Sequence, residues 1–244
     1  MQQPIDFNQI ITDGFAVIPE VLSKTTVAEI LKLVEVVSLK NQFRSRHDCL
    51  YAIRHLFREI PTLKFLAQHK ALRNLVEPIL GKSAQVVRAI FFDKRPQVNW
   101  KVSWHQDVTI AVCEKKMIAG FAPWSIKEGV FHVQPPITIL ENMLTLRLHL
   151  DDCPMEYGAL SVLPGSHCQG RLTREQIEIL RQTQVSVGCR AKQGDVLMMR
   201  PLLLHASSAA TTVTPFWHRR VIHLEYAAIS LPGGLEWYEK FPMT

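Results

Sequence analysis

Leu144-Thr145-Leu146-Arg147-Leu148-His149-Leu150 alternates apolar and polar side chains without a break. Successive side chains of an extended strand point to opposite faces, so the leucines share one face and Thr145, Arg147 and His149 the other. The leucine face predicts contact with a hydrophobic layer, and the opposite face fits the polar interior of a barrel. From about residue 84 other short β-rich segments surround this one, separated by Pro, Gly and Asp: Val86 to Phe92, Val130 to Gln134, Leu160 to Leu163, Val196 to Met199 and Arg219 to Tyr226.

Helical spacing dominates before residue 84. Thr26-Val27-Ala28-Glu29 reads as a capping box from which a helix starts, with Val27, Ile30, Leu31, Val34 and Val37 on its apolar face. A second pattern through Leu63, Leu66, Ala67, Leu75, Val76, Ile79 and Leu80 stops at Gly81, and Pro78 predicts irregularity in its last turn. One further helix is expected at Thr173 to Gln182, where Thr173 and Gln176 can form a capping box. No repeat or linker divides the chain, which predicts a single domain over residues 1–244, with a helical part over about 1–83 and a barrel over about 84–230.

Composition narrows the function classes. Lys and Arg total 28 against 22 Asp and Glu, but the excess is scattered and forms no basic run interleaved with aromatics, so nucleic acid is not an expected partner. The mild positive charge suits an anionic small molecule. Five cysteines, Cys49, Cys113, Cys153, Cys168 and Cys189, form no C-x-x-C pair and read as reduced thiols of a cytoplasmic protein. No apolar run reaches membrane-spanning length, the N-terminus has no signal-peptide pattern, and the sequence carries no signal for an oligomeric state.

Trp104-His105-Gln106-Asp107 carries an imidazole and a carboxylate two residues apart, which on an extended segment point the same way. Two histidines and one carboxylate with open positions form the facial triad of non-haem iron(II) oxygenases. The best third ligand is His205, which follows the apolar run Leu202-Leu203-Leu204, expected to be a buried strand leading into a polar loop. Arg219 opens the strand Arg219-Arg220-Val221-Ile222-His223-Leu224-Glu225-Tyr226, where a guanidinium can hold a carboxylate in a bidentate pair. Arg220 must point the opposite way, and periodicity alone allows either arginine to face the site.

Together these residues resemble the phytanoyl-CoA dioxygenase family of iron(II)- and 2-oxoglutarate-dependent oxygenases through most of the chain. The segments that carry the likeness are Asp13-Gly14-Phe15-Ala16-Val17-Ile18, His105-Gln106-Asp107, Gly158-Ala159-Leu160-Ser161-Val162-Leu163-Pro164-Gly165-Ser166-His167, and His205-Ala206-Ser207 with Arg219. The resemblance implies a mainly β double-stranded β-helix, a jelly-roll or cupin-like barrel with flanking N-terminal helices. It also implies that His105, Asp107 and His205 bind Fe(II), that Arg219 and Ser207 bind 2-oxoglutarate, and that Arg147 meets this cosubstrate from an interior strand. Related halogenases replace the carboxylate ligand by a small residue, and Asp107 is present here, so hydroxylation with O2 is expected, releasing succinate and CO2.

Other residues carry weaker expectations. His132 and Gln134 lie in the segment Trp124 to Pro136, expected to act as a lid and to set substrate choice, with Trp124, Phe131, Pro135 and Pro136 favouring a partly apolar small molecule. Arg147 or a nearby Lys would hold an anionic group on it. Lys94 and Trp100 precede the ligand motif and can border the substrate or cosubstrate cavity, and Tyr51 and Arg54, one helical turn apart, can reach over it. His167 reads as a structural histidine, and His149 and His223 read as satisfied interior histidines or pocket residues. Two rivals share the same ligands: a zinc-dependent hydrolase, which has no use for Arg219 and Ser207, and a non-catalytic metal- or small-molecule-binding barrel.

Overall fold

A computed structural model describes residues 6–40, 45–46, 49–50 and 52–243. The helix Lys24–Lys40 starts earlier than the expected box. Ser23 Oγ accepts the Thr26 N–H at 3.0 Å, so Ser23 is the cap and Thr26 is already the third helical residue. The pattern over residues 63–80 is not one helix but three pieces, Pro61–Lys64, Phe65–Gln68 and Lys70–Leu80. His69 breaks it at an extended ψ of 118°, in the stretch where the apolar spacing lapses. Pro78 sits inside the last piece without ending it, because so close to the C-terminus it removes only one intrahelical donor. Gly81 ends the helix at φ 82° and donates its N–H to the Glu77 carbonyl.

The larger antiparallel sheet runs in the order Phe15–Ile18, Val196–Met199, Met143–His149, Arg219–Ala227, Gln85–Lys94 and Phe241–Pro242, and Ala52–Ile53 also pairs with Gln85–Lys94. Three of its strands therefore lie outside the expected span of 84–230, and the N-terminal part is not purely helical. A four-stranded sheet, Val187–Cys189, Leu160–Val162, His205–Ser207 and Val102–His105, forms the second wall of a jelly roll. A third sheet of Ile110–Val112, Val130–Val133 and Trp124–Lys127 stands apart from both.

Met143–His149 is buried along its whole length because each face is covered by a different layer. Leu144, Leu146 and Leu148 join Ile30 and Val34 of the first long helix and Leu72, Leu75 and Val76 of Lys70–Leu80 in one core. Thr145, Arg147 and His149 face the space between the sheets. The helix Arg174–Thr183 has the expected capping box between Thr173 and Gln176. His167 is structural, as expected: its Nε2 lies 3.2 Å from the Ile11 carbonyl, and a Cβ on Gly14 would come within 2.4 Å of its ring. The Gly165 N–H also bonds to the Asp13 carbonyl, so the first turn of the chain is seated on the turn that follows Leu160–Val162.

Leu146 is fully buried between the sheet and the helices. Replacing it by alanine is expected to lower the unfolding free energy by about 2–5 kcal/mol, measured by urea denaturation.

Candidate metal and cosubstrate site

His205 does not end the apolar run on a strand. Leu202 to Leu204 form a buried turn, and His205 begins the short strand His205–Ser207. This strand pairs antiparallel with Val102–His105 so that His205 and His105 are direct cross-strand partners, their ring centroids 4.2 Å apart. Each Nδ1 lies 2.8 Å from the carbonyl two residues earlier, Ser103 for His105 and Leu203 for His205. A carbonyl only accepts, so each Nδ1 carries the proton and each Nε2 presents a lone pair. Asp107 follows just beyond the strand end, held by its N–H on the Pro201 carbonyl. Its two oxygens lie 3.7 Å from His105 Nε2 and 3.8 Å from His205 Nε2.

One ligand atom from each of these three residues lies within 4.8 Å of the others, the one such group among the described residues. Asp107 Oδ2 is buried without a hydrogen-bond partner. Burial pushes the Asp107 carboxyl up, but His205, His223, His105 and Arg88 outweigh it and bring it down to about 2. Burial lowers His205 to about 4 despite the opposing pull of Asp107. Above that pH the carboxylate is ionised and the buried imidazole neutral, the protonation states a divalent metal needs. Two neutral nitrogens and a carboxylate that lacks a partner therefore fit a divalent iron.

The three residues open onto a cavity of about 380 Å³ between the sheets. Arg219, Ser207, Arg147, Trp100 and Arg54 line it as expected. Arg219 faces inward, with its Nη2 3.4 Å from Ser207 Oγ. Arg220 faces the other way and grips Asp151 through Nε and Nη2 at 2.8 and 2.6 Å. Among the described residues no carboxylate forms an ion pair with Arg147 or Arg219, and the Nε of each is buried without a partner. Such orphaned guanidinium donors fit a bound carboxylate. Ser207 is fixed from behind by Gly158, whose carbonyl accepts its hydroxyl at 2.9 Å. Gly158 has φ 73°, and a Cβ there would lie 2.4 Å from the Ser208 carbonyl oxygen.

His132 and Gln134 are not among the lining residues. His132 is buried in Val130–Val133 with Nδ1 against the Val130 carbonyl, and Gln134 pairs through its backbone with Ala122 and Pro123. Their segment is strand and hairpin, and it reaches the cavity through Lys127 instead. Lys94 is fully buried behind Ser207 rather than on the cavity wall. Tyr51 lies outside the described residues.

Arg88, Glu225 and Gln106 escaped the sequence, and His223 takes the pocket place that was one of its two readings. Arg88, Glu225 and His223 line the cavity and form a chain with Arg147: Arg88 Nη1 to Glu225 at 3.1 Å, His223 Nε2 to the same Glu225 oxygen at 3.4 Å, and Arg147 Nη1 to His223 Nδ1 at 3.3 Å. Counting by twos from Arg219 would have put His223 and Glu225 on its face. Gln106, which points away from its ligand neighbours, donates to the carbonyls of Gly170 and Leu202 and accepts the Leu172 N–H, clamping the ligand loop.

No curated protein sequence matches the chain. Solved structures share its fold. EctD from S. alaskensis, crystallised with 2-oxoglutarate and 5-hydroxyectoine, superposes with a TM-score of 0.68 at 19% identity, covering 91% of this chain and 74% of that one. HygX from Streptomyces hygroscopicus, crystallised with nickel and 2-oxoglutarate, gives 0.67 at 17% identity, covering 91% and 87%. The carbocyclase SnoK from nogalamycin biosynthesis, described as non-haem and α-ketoglutarate dependent, gives 0.65 at 20% identity, covering 90% and 81%. The phytanoyl-CoA dioxygenase (PhyH) family model matches residues 11–219, a span that holds the three candidate ligands and ends on Arg219. The chain belongs to the phytanoyl-CoA dioxygenase (PhyH) family.

Proposed function

We propose that the protein is an iron(II)- and 2-oxoglutarate-dependent dioxygenase that hydroxylates a small organic substrate and releases succinate and CO2. The observation that carries this is the joining, in one cavity, of a two-histidine, one-carboxylate group to two buried arginines with orphaned donors. Family membership and the neighbours crystallised with 2-oxoglutarate support the same chemistry. When bound, iron(II) with 2-oxoglutarate and O2 supplies the oxidation of a C–H bond.

The chain's own residues do the rest. His105, Asp107 and His205 would hold the metal on one side and leave the cavity side open. Arg219 and Ser207 would receive the distal carboxylate of 2-oxoglutarate. Arg147, held in place by His223, Glu225 and Arg88, would meet the cosubstrate from the neighbouring strand of the same sheet. Ile90, Phe92 and Val108 give the cavity an apolar wall that suits a partly apolar substrate, while Arg54, Arg88 and Lys127 place cationic groups on it. A hydrolytic zinc site would leave the two inward arginines without a task. The presence of Asp107 supports oxygenation over halogenation. No helix among the described residues is long and apolar enough to cross a membrane. Cys113, Cys153, Cys168 and Cys189 are free, which supports a cytoplasmic setting.

Four outcomes are expected. The wild type loaded with iron(II) should form succinate from 2-oxoglutarate in air, slowly without substrate, and a chain that neither forms succinate nor binds 2-oxoglutarate would not be an oxygenase. His205→Ala should weaken nickel(II) binding, measured by calorimetry, by more than about 100-fold. Arg219→Ala should weaken 2-oxoglutarate binding about 30-fold or more and leave metal binding intact. Arg220→Ala should do the reverse, lowering stability by about 1–3 kcal/mol through the loss of its Asp151 pair while cosubstrate affinity holds.

A further inference from the structure

Lys94 is the last residue of Gln85–Lys94 and sits directly opposite Arg219 in the sheet register. Like charges facing each other across paired strands repel, and here both are buried, with Arg147 as a third cation beside them. Among the described residues no carboxylate forms an ion pair with any of the three. Lys94 Nζ instead donates to two neutral oxygens, Ser207 Oγ and the Ser208 carbonyl, each at 2.8 Å, and lies 5.4 Å from the centroid of the Trp100 ring. A neutral amine can make those hydrogen bonds equally well. Apart from the Trp100 ring face, the charge on Lys94 gains a counter-charge only when an anion comes to Ser207 and Arg219.

Building on the function proposed above, we propose that Lys94 is a positioning residue for the distal carboxylate of 2-oxoglutarate, acting through Ser207 and taking up a proton as that carboxylate binds. Ser207 gives its own proton to the Gly158 carbonyl and turns its lone pairs to Lys94 and Arg219. An arriving carboxylate adds negative charge at the point where the two strands present opposed cations. Lys94 thereby changes from a neutral amine, whose ammonium form is costly to bury, into one half of a compensated pair.

Burial, then Arg219 and Arg147, lower the Lys94 amine to about 7, while Cys153 pulls weakly the other way. Cys153 is itself pushed up by burial and stays a thiol, and both guanidiniums stay charged, so Lys94 is the group facing this corner that titrates between pH 7 and 9. A bound anion raises its proton affinity. The Lys94 contribution to cosubstrate binding is therefore full below about pH 7 and is lost as pH rises through the higher value of the complex.

The test is calorimetric titration of 2-oxoglutarate into the nickel(II)-loaded protein, which binds without turnover, from pH 6.5 to 9 and in two buffers of different ionisation enthalpy. The wild type should take up a fraction of a proton at pH 7.5 and lose about tenfold or more in affinity between pH 7 and 9. 2-Oxobutyrate, which lacks the distal carboxylate, should bind with no such uptake. Lys94→Gln should bind 2-oxoglutarate about tenfold more weakly at pH 6.5, with a flat pH profile and unchanged nickel affinity. Binding to the wild type with no proton uptake and a flat profile overturns the role of Lys94 alone, whatever the variant does. No binding of 2-oxoglutarate at any pH overturns the oxygenase proposal with it.

Discussion

The antiparallel pairing of Val102–His105 with His205–Ser207 is the constraint on which the site depends. It makes two histidines from distant parts of the chain into cross-strand neighbours, and it places Ser207 two residues along the same short strand, toward Arg219. Register on a strand is strict, since a slip of one residue would turn His205 outward and Ala206 inward. The two Nδ1 hydrogen bonds to backbone carbonyls then fix each ring, so the lone pairs converge before any metal arrives. Gln106 adds the third restraint by tying the Asp107 loop to residues 170–172 and 202.

Charge inside the jelly roll follows a consistent division. Near the ligands, Asp107 is balanced by imidazoles and by Arg88 at longer range. Across the cavity, Arg88, Glu225, His223 and Arg147 form a chain in which each group has a partner. At the inner end Arg147, Arg219 and Lys94 accumulate with no anion of their own. Buried cations left in this state are tolerated when a ligand completes them, which is why this corner, and not the basic cavity mouth, points to a dicarboxylate.

Much of this was legible in the sequence, for definite reasons. Period two over residues 144–150 identified a strand with a polar interior face because both layers impose it. His105 and Asp107 were found because their spacing lets one strand end offer two ligands, and Arg219 was chosen over Arg220 by the family resemblance, since periodicity allows either. The failures have physical causes too. Leu202-Leu203-Leu204 looked like a strand because a buried turn and a buried strand are equally apolar. Thr26 was taken for the cap because Thr26 to Glu29 matches a capping box and Ser23 to Thr26 does not, and only the backbone hydrogen bond reveals Ser23. His132 and Gln134 were placed at the cavity because composition does not tell which face of a hairpin looks inward. The continuous helix over 63–80 broke at His69, where no side-chain type announces an extended residue.

The sheet of Ile110–Val112, Val130–Val133 and Trp124–Lys127 carries none of the three candidate ligands and none of the cosubstrate donors, yet it delivers Lys127 to the cavity wall. Its hairpin turns tightly at Glu128 and Gly129, both at positive φ, and pairs only with itself and with Ile110–Val112. The hairpin thus contributes to the cavity from a sheet that holds none of the candidate ligands. Changes along this hairpin can therefore reshape the wall around Lys127 while leaving the cross-strand pairing that sets His105 against His205 untouched.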